Sequence, residues 1–141
     1  MVSCIFCKIV EGSIPSEKIY EDEHVIAFMD ITPVTKGHAL IIPKSHRENV
    51  YELTAEEAGH LFSVVPQITQ AIKETFQPTG LNLLQNNGSF AGQSVFHFHL
   101  HLIPRYDETD GFDGVWQPQV ETLTPDVIQG LAQEVRQKLM G

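Results

Sequence analysis

Between Phe96 and Ile103 the chain alternates histidine with apolar side chains, reading His97-Phe98-His99-Leu100-His101-Leu102. A period of two belongs to a β-strand, because successive side chains point to opposite faces. On a strand covering about 95–103, His97, His99 and His101 stand in a row on one face, roughly 6.6 Å apart at a rise of about 3.3 Å per residue. Phe96, Phe98, Leu100 and Leu102 form an apolar row on the other face, ready to pack on helices. A solvated strand face accounts well for one histidine. Three of the seven histidines within five residues point to function. Two chemistries compete: a three-histidine metal site, or a phosphate site with one histidine as nucleophile.

The stretch before these histidines favours phosphate. Asn86 to Ser94 carries two asparagines, two glycines, two serines and Gln93. Glycines let backbone N–H groups approach an anion closely, and Ser and Gln side chains donate to phosphate oxygens. A plain hairpin connection has the same composition, so the loop counts only because it adjoins the histidines.

The remaining elements follow from local signals. Ser3 is positioned to cap a short helix from Cys4 to Glu11, with Gly12 past its end. Lys18–Glu21 and Val25–Met29 read as paired strands around Asp22-Glu23-His24, and His38–Pro43 as the next. Thr54-Ala55-Glu56-Glu57 is a capping box opening a long amphipathic helix with Ala58, Leu61, Phe62, Val65, Ile68, Ile72 and Phe76 on its apolar stripe. Pro66 lies inside that helix, and the pattern resumes in phase beyond it, so a bend is expected and not an end. Leu81–Gln85 pairs with the histidine strand, which Pro104 ends. Thr124-Pro125 starts a last helix marked by Val127, Ile128, Leu131, Val135 and Leu139. Helices and strands do not alternate regularly, which favours an α+β fold on an antiparallel sheet, one domain over 1–141.

Charge narrows the partners. The 18 acidic against 9 basic side chains give a formal charge of -9, which argues against a nucleic-acid polymer or an anionic membrane as main partner. A small phosphorylated ligand needs no net basic surface. No apolar run reaches the ~20 residues of a membrane span, and the start of the chain has no signal-peptide pattern. A cytoplasmic location is the expectation, and there Cys4 and Cys7 read as metal ligands or free thiols before a disulfide.

His97-Phe98-His99-Leu100-His101-Leu102-Ile103 resembles the signature of the histidine triad (HIT) family. The likeness extends over Ile5–Ile9, Phe28–Ile31, Gly37–His46 and Gly92–Ser94, and is strongest to the nucleotide-binding, Hint-like branch in its short bacterial form. The resemblance implies a five-stranded antiparallel sheet with a long central helix and a C-terminal helix, two sheets being joined in a homodimer. It also implies hydrolysis of substituents from the α-phosphate of purine nucleotides, without a catalytic cofactor, through a nucleotidyl-histidine intermediate. His99 would be the nucleophile. His101 and His38 would flank the phosphate, and Ser94, Gln93 and Asn86 would lie near the scissile bond and substrate. Asp30 would bind the ribose hydroxyls, with Phe6, Ile9, Phe28 and Ile31 lining the base pocket or serving as core. In the same resemblance Cys4, Cys7, His46 and His97 hold a structural zinc, the other reading being two free thiols. Alternatives are a diadenosine polyphosphate hydrolase, a nucleotide-binding adaptor with incidental turnover, and a metal carrier using all three triad histidines. Arg105 reads as a paired or solvated charge, Trp116 as reaching across a dimer or covering local core, and His24 and His60 as solvated surface.

Overall fold

The structure, a computed structural model, describes residues 4–141; the expected cap at Ser3 lies outside them. The elements run α1 (Ile5–Glu11), β1 (Lys18–Glu21), β2 (Val25–Met29), β3 (Ala39–Pro43), α2 (Ala55–Phe76), β4 (Gly80–Leu84), β5 (Leu100–Arg105) and α3 (Pro125–Met140). The five strands form one antiparallel sheet in the order β1-β2-β3-β5-β4. This is the α+β architecture that the sequence implies.

Cross-strand partners share a face, so register sorts the side chains. Ala27 lies opposite Ile41, and Ile41 opposite Leu100. These residues, with Val25, Ala39, Phe98 and Leu102, meet Leu61, Val64, Val65, Ile68 and Ile72 of α2 in the main core. Phe28 lies opposite Leu40, and Leu40 opposite His101. That face carries the smaller core of Phe6, Ile26, Phe28, Leu40 and Ile42 under α1. His101 therefore stands on the face that α1 partly covers.

The capping box is present in full. Thr54 Oγ1 accepts from the Glu57 N–H at 3.1 Å, and Glu57 accepts from the Thr54 N–H at 3.0 Å. Helix α2 runs unbroken through Pro66. Its apolar stripe differs from expectation at one place: Phe62 is exposed and Val64 is buried in its stead.

The histidine segment corrects the expected strand. Only His101 lies within β5, which starts at Leu100, and Phe96 is exposed while Phe98, Leu100 and Leu102 are buried. The β3–β5 pairing stops at Ile41 and Leu100 because continuing it brings Phe98 opposite Pro43, which has no N–H to donate. The Pro43 carbonyl accepts from His97 Nε2 at 2.8 Å, and the Phe98 N–H donates to Arg47 O at 2.6 Å. At the other end β5 continues through Pro104 to Arg105. The Arg105 carbonyl accepts from Thr79 beside β4, so Pro104 turns its missing donor towards β3. The β3 pairing has already ended at Leu102, and proline costs no ladder bond there.

Candidate active site

Helix α1 is shorter than expected by one residue, since Cys4 is its N-cap, and Gly12 closes it in the left-handed region at φ 89°. Cys4 Sγ accepts from the Cys7 N–H at 3.3 Å, and both sulfurs meet histidines of the sheet side. There His97 Nδ1 lies 3.4 Å from Cys4 Sγ and 3.6 Å from Cys7 Sγ, and His46 Nδ1 lies 3.3 Å from both Cys7 Sγ and His97 Nδ1. Tetrahedral zinc with about 2.05 Å to nitrogen and about 2.3 Å to sulfur has ligand–ligand edges of about 3.3 to 3.8 Å. These four edges fit that tetrahedron, and all four donor atoms lie within 4.8 Å of one another. His97 Nε2 must carry its proton, because a carbonyl can only accept, and so Nδ1 presents a lone pair to the cluster. Burial, then the neighbouring Cys4, pushes the Cys7 thiol up to about 11; a bound cation is what would draw that proton off.

The same residue orients its neighbour. His99 Nδ1 donates to the His97 carbonyl at 2.8 Å, which leaves the His99 Nε2 with its lone pair. Burial pushes His99 below the ordinary imidazole range, against the opposing pull of that carbonyl and of Asp30. A neutral imidazole with an available Nε2 is a nucleophile at pH 7.

His99 and His101 open on a cleft of about 320 Å³, lined also by Phe6, Ile9, Phe28, Asp30, Ile31 and Ser94. Phe6 and Phe28 are both core and lining, and Ile31 is a rim residue at 86% exposure. Sequence reasoning missed Ile5, Ile14, Leu40 and Val95 on the same wall. Leu40 alone had a local signal, since it alternates with the α2-facing Ala39 and Ile41.

His38, expected beside the phosphate, stands behind His101 and is 3% exposed. Its Nδ1 accepts from the Val34 N–H at 3.1 Å, so its proton is on Nε2, 2.9 Å from His101 Nδ1 and 3.4 Å from Asp30 Oδ2. Asp30, His38 and His101 converge as closely as a metal set, yet a protonated Nε2 donates and does not ligate. Burial holds His38 low, and burial with the adjacent His99 and His38 pushes His101 down to about 4. Asp30 Oδ1 accepts from both the N–H and the hydroxyl of Thr32.

Gln93 and Asn86, expected near the substrate, are engaged within the chain. Gln93 is buried; its carbonyl accepts from the Gly88 N–H, and its amide donates to the Glu48 and Val95 carbonyls. Those bonds occupy both amide protons, so Gln93 staples the loop. Asn86 does not line the cleft; its amide donates to Gly92 O at 3.4 Å. His60 also has a partner after all, Asp22 Oδ2 at 2.9 Å, and His24 packs its ring against His60 at 4.5 Å. Trp116 is 91% exposed and covers no local core.

A five-stranded antiparallel sheet flanked by helices, with the alternating histidines entering it at β5, is a fold shared with solved structures of histidine triad proteins. The chain belongs to the HIT family: residues 11–108 match the HIT domain. It is 56% identical to a HIT family protein from Bacillus anthracis, with a TM-score of 0.94 over 96% of each chain. It is 43% identical to an adenosine 5'-monophosphoramidase of Schizosaccharomyces pombe, covering 98% of this chain and 99% of that one. A zinc-bound histidine triad protein from Mycobacterium smegmatis matches at 36% identity and a TM-score of 0.73, over 96% of this chain and 97% of that one.

Proposed function

We propose that this protein hydrolyses substituents from the α-phosphate of purine nucleotides, with the phosphoramidate class as substrate. The observation that carries the reading is the bond from His99 Nδ1 to the His97 carbonyl, which leaves Nε2 as the free ring nitrogen beside the cleft. In this reading the base enters the apolar cleft between Phe6 and Phe28, and Asp30 takes the ribose hydroxyls. The His99 Nε2 lone pair attacks the α-phosphorus, and the bond to the departing amine breaks with its electron pair. The amine leaves after gaining a proton, assisted by His101 and by Ser94 on the cleft wall. Water then displaces His99, releases the nucleoside monophosphate and restores the neutral ring. The likeness to an adenosine 5'-monophosphoramidase over nearly the full chain supports the substrate class.

Cys4, Cys7, His46 and His97 hold a zinc ion in this reading. Its contribution is structural: it fixes α1, and with it Phe6 and Ile9, against the sheet. No step of the reaction passes through it. The zinc-bound relative is in keeping with that assignment. We take the compartment to be the cytoplasm on the sequence argument.

The functional unit is a homodimer in the same reading. Strand β4 is an edge strand with Leu81 and Leu83 part-exposed, and the apolar stripe of α3 is exposed at 42% to 82%. An uncovered edge and an uncovered stripe call for a partner surface. Sedimentation at micromolar concentration is expected to show twice the chain mass, and a monomer overturns the dimer.

Intact-protein mass spectrometry after rapid neutral quench with adenosine phosphoramidate tests the chemistry. One adenylyl group mapped to His99 is expected. Turnover without an adduct, under a quench shown to preserve phosphohistidine, replaces the covalent route by direct water attack. Absence of turnover leaves a nucleotide-binding module.

A further inference from the structure

The segment that follows β5 folds back on the loop that carries His38. Arg105 organises it: Nε donates to Asp110 Oδ2 at 2.9 Å, Nη2 to the Phe112 carbonyl at 2.9 Å, and Nη1 to Asn82 Oδ1 at 2.7 Å. Residues 110 and 112 are thus pinned on either side of Gly111. The Gly111 N–H donates to the Val34 carbonyl at 2.9 Å, and the Tyr106 hydroxyl donates to the Lys36 carbonyl at 2.6 Å. A Cβ on residue 111 would lie 2.7 Å from the Val34 oxygen, well inside van der Waals contact. Only glycine fits this approach.

Val34 is the junction. Its carbonyl is held by Gly111, and its N–H is aimed at His38 Nδ1. We propose that Gly111 and Val34 are positioning residues that set, through backbone hydrogen bonds alone, the ring tautomers of His38 and His101. The logic is one of donors and acceptors. With Val34 donating to Nδ1, neutral His38 carries its proton on Nε2. That proton goes to His101 Nδ1 at 2.9 Å in preference to Asp30 Oδ2 at 3.4 Å. His101 accepts at Nδ1 and so keeps its own proton on Nε2, its only remaining donor for the cleft. Without the Val34 donor, His38 is free to carry its proton on Nδ1. Its Nε2 lone pair then faces His101 Nδ1, which takes up the proton in response, and His101 Nε2 becomes an acceptor. The ring stays neutral and in place, with its proton on the wrong side for a phosphate oxygen or a departing amine.

The catalytic consequence rests on the phosphoramidase reading, whereas the tautomers do not, and the two are tested separately. Long-range proton–nitrogen NMR on the full-length protein with 15N-histidine distinguishes Nδ1–H from Nε2–H rings without substrate. Wild type is expected to show His38 and His101 protonated on Nε2 and His99 on Nδ1. A wild-type His101 protonated on Nδ1 overturns the proposal outright. In Gly111→Ala, an Nδ1–H population is expected to appear at His38 and His101. The His99 signal, held by a different carbonyl, is expected to stay put and serves as the control for folding. If Gly111→Ala does not fold, Arg105→Gln, which frees the same loop by losing one charge, is read in the same way. Tautomers unchanged in a folded variant whose residue-111 amide exchanges faster than in wild type refute the relay. In turnover, the folded variant is expected to lose roughly 10- to 100-fold in kcat with KM nearly constant, the scale of a misplaced catalytic group. Expected tautomers together with no turnover on any phosphoramidate would sink the functional reading and leave the relay standing.

Discussion

The carbonyl of His97 accepts the Nδ1 proton of His99 at 2.8 Å. The residue whose ring joins the Cys4, Cys7 and His46 donors therefore also holds the ring beside the cleft. Adjacent sites share this one residue, its side chain serving one and its backbone the other. Four expectations follow from such couplings.

His99→Ala removes the free Nε2 and leaves the two cores intact. Turnover of adenosine phosphoramidate is expected to fall about 10³-fold or more, as when a nucleophile is lost, with the circular dichroism spectrum unchanged. Turnover within a few-fold of wild type would show that another group attacks.

One zinc per chain is expected by elemental analysis, and Cys7→Ser is expected to lose it. Loss of a structural metal should lower the unfolding midpoint by about 10 °C or more, given a few kcal/mol in a domain of this size. Because the Cys7 thiol is pushed up to about 11, metal uptake must release protons, so apparent zinc affinity falls as pH falls. A metal-free protein with the same midpoint as the loaded one contradicts the structural role.

Glu57 closes the capping box and also receives Arg47, whose Nε lies 2.9 Å and 3.0 Å from the two carboxylate oxygens. Arg47 O in turn accepts the Phe98 N–H. Glu57→Ala is expected to cost about 1–2 kcal/mol in urea unfolding. Arg47 first, and the Thr54 N–H after it, hold the carboxyl down to about 2 against some opposing burial. A depressed acid stabilises above its unfolded value, so this contribution fades as pH falls from about 4.5 to 2 and is absent from the variant.

Burial pushes His38, His97, His99 and His101 below the ordinary imidazole value of 6.5, His101 to about 4. Between about 4 and 6.5 the unfolded chain binds more protons at these rings than the folded one. Stability must then rise with pH across that window and level off above it. Urea midpoints measured from pH 4 to 8 check the sign, and His101→Asn is expected to flatten part of the rise. A midpoint that climbs as pH falls from 6.5 would contradict neutral buried histidines.

Local signals are legible where the physics is local. The capping box, the glycine after α1 and the proline at the start of α3 all depend on neighbours in sequence. Long-range partners are not legible in this way. Gln93 lies in a loop of phosphate-binding composition, and its amide group bonds to Gly88, Glu48 and Val95. His60 looked solitary because Asp22, its partner, is 38 residues away. His38 meets His101 at 2.9 Å across 63 residues of sequence, a relation that no local pattern carries.

The alternation from His97 to Leu102 by itself pointed to histidines on one side and to Phe98, Leu100 and Leu102 packed on the other, and that division holds although the regular strand starts only at Leu100. The sequence also determined the family and the long helix that covers the sheet. Only the tertiary structure decided the hydrogen-bond partners of the histidines, and with them the ring nitrogen that carries each proton. Here that is set by groups from elsewhere in the chain, the Pro43 carbonyl and the Val34 N–H, and by the His97 carbonyl, whose direction the fold alone fixes.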